Sequence, residues 1–161
     1  LPFKLQSAGH YRSDDEAVSV EARSLRFDGT SPLPNLGGAL TLRSADTLAL
    51  DFNGTLQSWA KDWPTLPTPI NATTAPMPLA IEYLGASDFS APLRIKLSVD
   101  AARLQASLKI AELQQWLDAS AGSPLPPLDA TISAPTLEVE GFTLEGVEIE
   151  IRESAPAEDK P

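Results

Sequence analysis

The sequence predicts a mainly β protein, a curved antiparallel sheet of amphipathic strands with one short α-helix near residues 111–119. Three observations predict it. Apolar and polar residues alternate with period two in run after run, most cleanly at Leu93, Ile95, Leu97 and Val99 with Arg94, Lys96 and Ser98 between them. Fifteen prolines and nine glycines punctuate these short runs, as turns between strands require. Only one stretch, with Leu113, Trp116 and Leu117, has helical spacing, and Gly122 and the prolines from Pro124 to Pro127 stop it.

The elements follow in order. Phe3, Leu5 and Ser7 alternate towards a polar tip at Arg12–Glu16, and the return run carries Val18, Val20 and Ala22. Its phase then shifts to Leu25 and Phe27, the mark of a β-bulge or a break, because side chains on a strand alternate faces. Leu36, Leu40 and Leu42 lead to a hairpin tip at Ser44–Asp46, and Leu48, Leu50, Phe52 and Leu56 return. From Trp59 to Pro78 the pattern lapses into a Pro- and Trp-rich loop, with one helical turn expected at Trp59–Trp63. Strands resume at Leu79, Ile81 and Tyr83, turn at Gly85–Asp88, and continue through Leu93–Val99 and Leu104–Ile110. The last hairpin carries Leu128, Ala130, Ile132, Ala134, Leu137 and Val139, turns at Gly141, and returns through Leu144, Val147, Ile149 and Ile151. Its outward positions are acidic: Glu138, Glu140, Glu145, Glu148 and Glu150. A single β-rich domain or fragment is expected over 1–152, either undivided or as two related β units (about 1–58 and 79–152) joined by the Pro- and Trp-rich segment 59–78. A disordered tail is expected over 153–161.

Bulk properties exclude several functions. With 42% hydrophobic residues the chain can bury a core, but aromatics are only 6%, so aliphatic side chains must fill it. No cysteine is present, which removes disulfides, thiolate metal sites and thiol catalysis. A net charge of −10 repels nucleic acid. No apolar stretch reaches the ~20 residues of a transmembrane helix, and position 1 is Leu, so a leader or anchor can have been removed. His10 is the only histidine and lies near a polar tip, which suits a surface residue better than a metal ligand. Asp14–Glu16 lack the spacing and glycine of a calcium loop. No nucleophile elbow or glycine-rich phosphate loop occurs, Gly37-Gly38 standing alone. The chain is therefore read as non-catalytic, without cofactor or metal.

One internal echo stands out: Val20-Glu-Ala-Arg-Ser-Leu-Arg-Phe-Asp-Gly29 against Ile132-Ser-Ala-Pro-Thr-Leu-Glu-Val-Glu-Gly141, with Ala, Leu and Gly coinciding. The stretch from Leu128 to Ile151 resembles the repeating phrase of the AsmA-like family: an apolar alternation, a leucine, a glycine turn and a second leucine-led strand. Val18–Gly29 followed by Leu36–Leu42 is similar, as is the hairpin Pro92–Ile110 leading into Ala111–Leu117. The resemblance implies a TamB-related, repeating β-groove protein of the Gram-negative envelope, its body in the periplasm and its parent anchored in the inner membrane. It further implies a part in outer-membrane biogenesis or lipid transport, with phospholipid or another acyl lipid as partner. The length departs from the large members, and so short a segment cannot span the periplasm.

Two arrangements satisfy the residue pattern. A sheet with one aliphatic and one charged face either closes sandwich-like on itself or on a second layer, or stays an open groove offering its apolar face to lipid. In both, function is expected on the apolar face, with Leu93, Ile95, Leu97, Val99, Leu104, Leu108, Ile132, Leu137, Val147 and Ile149 as lipid-facing candidates. The alternative reading is a non-catalytic structural or protein-interaction β-domain of the bacterial envelope, with envelope proteins as partners.

Overall fold

The computed structural model describes residues 2–30, 33–59, 75–118, 127–139 and 141–152. Among the described residues nine strands form one antiparallel sheet in the order in which they occur along the chain. They are β1 (Phe3–Ser13), β2 (Val18–Gly29), β3 (Asn35–Ser44), β4 (Leu48–Ser58), β5 (Met77–Gly85), β6 (Leu93–Val99), β7 (Ala102–Leu108), β8 (Asp129–Val139) and β9 (Phe142–Ile151). Among the described residues one helix, α1 (Ile110–Asp118), sits between β7 and β8, where the sequence expects it. The sheet is curved and unclosed, with β1 and β9 at its edges. Of the two expected arrangements it is the single open sheet.

Register makes the amphipathic pattern global. Leu36 faces Leu56, Leu40 faces Phe52 and Leu42 faces Leu50. Phe52 then faces Ile81 and Leu56 faces Met77. Leu97 faces Leu79 on one side and Leu104 on the other, Leu104 faces Ile132, and Ile132 faces Ile149. Cross-strand partners project to the same side of a sheet, so these ladders form one apolar surface running from β1 to β9. Every residue buried among those described lies on this surface, and no polar or charged residue among them is buried. At ~4.8 Å per strand the arc from β1 to β9 measures roughly 38 Å.

Two irregularities keep the apolar residues on one face. In β2 the register shifts against β1 and again against β3 around Arg23-Ser24. This is the bulge that the phase change from Ala22 to Leu25 predicts, and it returns Leu25 and Phe27 to the side of Ala22. The echoing site in β8–β9 reaches the same end by another route. Ala134 pairs with Val147 and Leu137 with Leu144, so the register there is unbroken, although Ala134 and Leu137 are three residues apart. Simple alternation would separate them, yet both belong to the same buried cluster. The phase changes in both strands at once, at Pro135, which has no amide to donate, and at Gly146, whose φ of +63° is open to glycine.

A second glycine device lies in the middle of the sheet. Gly38 and Gly54 face each other across β3 and β4 on the apolar side. A Cβ on Gly38 would stand 2.6 Å from the Gly54 Cα, and one on Gly54 would stand 2.7 Å from the Gly38 Cα, with a backbone carbonyl nearer still in each case. The two strands approach too closely here for any side chain.

One expectation changes. β5 begins at Met77 and includes Pro78, inside the span expected as loop, of which residues 60–74 lie outside the described residues. Proline is tolerated there because β6 pairs with β5 only from Leu79 onward, so no ladder amide is needed on that side at Pro78. β4 and β5 also pair directly, from Leu48–Gly85 to Leu56–Met77, so strands before and after that segment share one sheet. The helical turn expected at Trp59–Trp63 and the tail over 153–161 fall outside the described residues, apart from Trp59, which packs half-buried against the core.

Candidate functional site

The apolar face has a dense floor and open margins. Its floor is a cluster of Phe52, Leu56, Met77, Leu79, Leu97, Val99, Ala102, Ala134 and Leu137. Leu137 is the most enclosed, at 0% exposure. Around it lie half-buried aliphatics from β2 to β9, including Leu25, Leu40, Ile81, Ile95, Leu104 and Val147. Towards the margins the face opens. Phe3 is 62% and Phe142 73% exposed, and Leu5, Tyr11, Leu144 and Ile149 are exposed with them.

All ten candidates from the sequence lie on this face, but at different depths. Leu97, Val99 and Leu137 are buried in the floor, whereas Leu93, Ile95, Leu104, Leu108, Ile132 and Val147 are half-buried and Ile149 is exposed. Leu93 and Leu108 are cross-strand partners at one end of β6–β7, and Val99 faces Ala102 at the other. The candidates cover only β6–β9. The most accessible apolar residues, Phe3, Leu5 and Tyr11 of β1 and Phe142 and Leu144 of β9, are not among them. Alternation places Phe3, Leu5 and Leu144 in apolar runs, whereas Tyr11 and Phe142 stand outside the runs read from the sequence, and the edge position that exposes all five depends on strand order.

The opposite face is polar. Lys96 Nζ donates to Glu82 Oε1 at 2.8 Å across β5–β6. That hydrogen bond and the Lys96 charge, with Arg94 adding to them, hold the Glu82 carboxyl below its ordinary value of 4.5. Arg26 pairs with Asp28 at 3.0 Å along β2, and Arg152 with Glu150 at 2.7 Å beside the end of β9. Leu84 is the large apolar exception on this side, 70% exposed and opposite Ala49. A shallow hollow of about 450 Å³ spans the outer side of β6–β9, with Arg94, Gln105, Asp129 and Arg152 on its rim. The β1–β2 tip is held locally: Asp14 Oδ1 accepts from the amides of Glu16 and Ala17 at 3.2 and 2.8 Å. His10 is exposed on β1. Among the described residues no group of three or more His, Asp or Glu side chains comes together as a metal site, and no helix is long and apolar enough to cross a membrane.

The arrangement is thus suited to hydrophobic contact: a continuous aliphatic trough with exposed aromatic margins and a charged back. No family model matches the chain, and no curated protein or solved structure matches it significantly.

Proposed function

We propose that this chain is an AsmA-like segment of the Gram-negative periplasm that holds acyl chains of phospholipid, or of another acyl lipid, against the apolar face of its sheet. In this reading it is part of a longer protein anchored in the inner membrane and serves outer-membrane biogenesis or lipid transport. One observation carries the reading: nine consecutive strands keep every apolar ladder on one side, through a bulge and a paired phase change, and the margins of that side stay exposed. An apolar surface this continuous on an unclosed sheet is a binding surface or an interface rather than ordinary exterior. Each acyl CH₂ removed from water contributes roughly 0.8 kcal/mol, so a few turns of chain along the trough suffice for measurable affinity.

Native mass spectrometry after gentle purification tests it, together with titration of a fluorescent fatty acid. Lipid adducts and saturable uptake are expected, both weakened by Ile149→Glu, which places a charge on the exposed part of the face. A chain that carries no lipid and takes up no probe rejects the reading. The second reading, a structural or protein-interaction domain of the envelope, draws on the tight floor around Leu137, which needs no ligand to be buried. It expects no adducts and a specific envelope protein in pull-downs.

A further inference from the structure

Asn53-Gly54 is the one Asn-Gly pair in the chain, and it lies in the middle of β4. In a flexible chain such a pair deamidates. The Gly54 amide nitrogen attacks Asn53 Cγ, the new N–Cγ bond closes a succinimide ring, and the Cγ–Nδ2 bond breaks to release ammonia. Water then opens the ring at either carbonyl. One product is aspartate; the other is isoaspartate, in which the main chain runs on through the side-chain carboxyl. Glycine makes the attack easy, because without a Cβ its amide turns freely towards the side chain. The other two asparagines, Asn35 and Asn71, precede Leu and Ala and lack that freedom.

The sheet removes the conditions for this reaction. On extended backbone the Asn53 side chain stands out from the sheet. It is exposed on the outer face, where Nδ2 donates to Asp51 Oδ1. The Gly54 amide lies instead in the plane of the sheet. β4 is flanked on both sides there, Gly54 pairing with Gly38 of β3 and Leu79 of β5, so its amide is committed to the ladder. To reach Cγ, the peptide between residues 53 and 54 must rotate out of those pairings. The close approach of the strands leaves no room for this in place: even a Cβ on Gly54 would stand 2.7 Å from the Gly38 Cα.

We propose that Asn53-Gly54 is a latent modification site, silent in the folded sheet and open only while the chain is unfolded, and that its isoaspartate product cannot return to the sheet. Isoaspartate adds a carbon to the main chain and leaves the original carboxyl as a charged branch. The residues after it then fall out of step with β3 and β5 where the strands approach most closely. The aspartate product keeps the normal backbone. It only sets a second carboxylate beside Asp51 on the exposed face, a small perturbation. The inference does not depend on acyl binding.

Peptide mapping by mass spectrometry, with fragmentation that separates isoaspartate from aspartate, tests it on the full chain. Samples are held in mildly alkaline buffer with and without urea, then returned to native buffer. The Asn53 peptide is expected to convert at least roughly a hundredfold more slowly without urea, since central strands open at a cost near the global stability. After refolding, isoaspartate is expected only in the unfolded or aggregated fraction, whereas aspartate at position 53 is expected in the folded fraction too. Asn53→Gln closes the corresponding ring far more slowly and is expected to lose refolding yield several-fold more slowly than the native chain. Asp28-Gly29 rearranges by the same route with loss of water, and the comparison with this variant separates its effect. Conversion at equal rates in the two buffers overturns the proposal. So does isoaspartate recovered in the folded fraction in proportion to its total, or refolding loss as fast in Asn53→Gln as in the native chain.

Discussion

Gly37 and Gly38 are neighbours in the same strand, yet alanine is expected to act oppositely at the two. The Gly38 side chain position points at the backbone of β4, where a Cβ would meet the Gly54 Cα at 2.6 Å. Backbone cannot rotate away, so β3 and β4 must part by several tenths of an ångström, loosening the ladder and the packing of Phe52 and Leu40 beside it. Overpacking of this kind costs about 1–3 kcal/mol. At Gly37 a Cβ would meet the tip of the Gln57 side chain at 3.3 Å and the Leu25 carbonyl oxygen at an ordinary 4.0 Å, and the Gln57 tip can swing into solvent by exchanging its exposed hydrogen bond to Thr55 Oγ1 for water. There alanine reduces the freedom of the unfolded chain at little cost to the fold, and Gly→Ala at compatible positions stabilises by about 0.4–1 kcal/mol. Urea unfolding followed by circular dichroism reads the difference. At a slope of about 2 kcal/mol per molar, a loss of about 2 kcal/mol lowers the midpoint by roughly 1 M for Gly38→Ala. Gly37→Ala is expected to leave it unchanged or raise it slightly. Equal midpoints for the two variants would refute the close-approach argument, because composition and strand are the same for both.

Other expectations follow the same geometry. Leu137→Ala empties the most enclosed position of the floor and is expected to cost about 2–5 kcal/mol in the same urea assay. Leu84→Ser, on the outer face, is expected to change stability by less than about 0.5 kcal/mol. The Glu82 carboxyl is held below 4.5 in the folded chain, so its contribution is present above that value and fades as pH falls through the lower folded value. Both partners are well exposed, so the effect amounts to a few tenths of a kcal/mol and shrinks with salt. Unfolding midpoints of the native chain and Glu82→Gln are therefore expected to differ slightly at neutral pH and to converge in acid.

Much of the fold was legible because alternation is a local property. Leu93–Val99 and Leu104–Leu108 announce both strands and their inner faces, and the slip from Ala22 to Leu25 announces the bulge. The spacing of Leu113, Trp116 and Leu117 announces the helix. Hairpin tips at Asp14 and Asp46 follow from turn chemistry within a few residues. The start of β5 was missed because Pro78 reads as a strand breaker until its neighbours are known: only the shorter pairing of β6 shows that its amide is not needed. The candidate face was identified as a set of residues but not as a graded surface. Nothing in the local pattern separates Leu137, enclosed in the floor, from Ile149, exposed near the edge.

By itself the sequence determined the strands, their turns and which side of each is apolar, because a two-residue period and a proline or glycine act over one or two neighbours. Only the tertiary structure decided that the nine strands pair in chain order within one open sheet. It alone revealed that Gly38 meets Gly54, and that Pro135 and Gly146 turn β8 and β9 together. Those features join residues far apart in the chain, and their energies exist only once backbone meets backbone across the sheet.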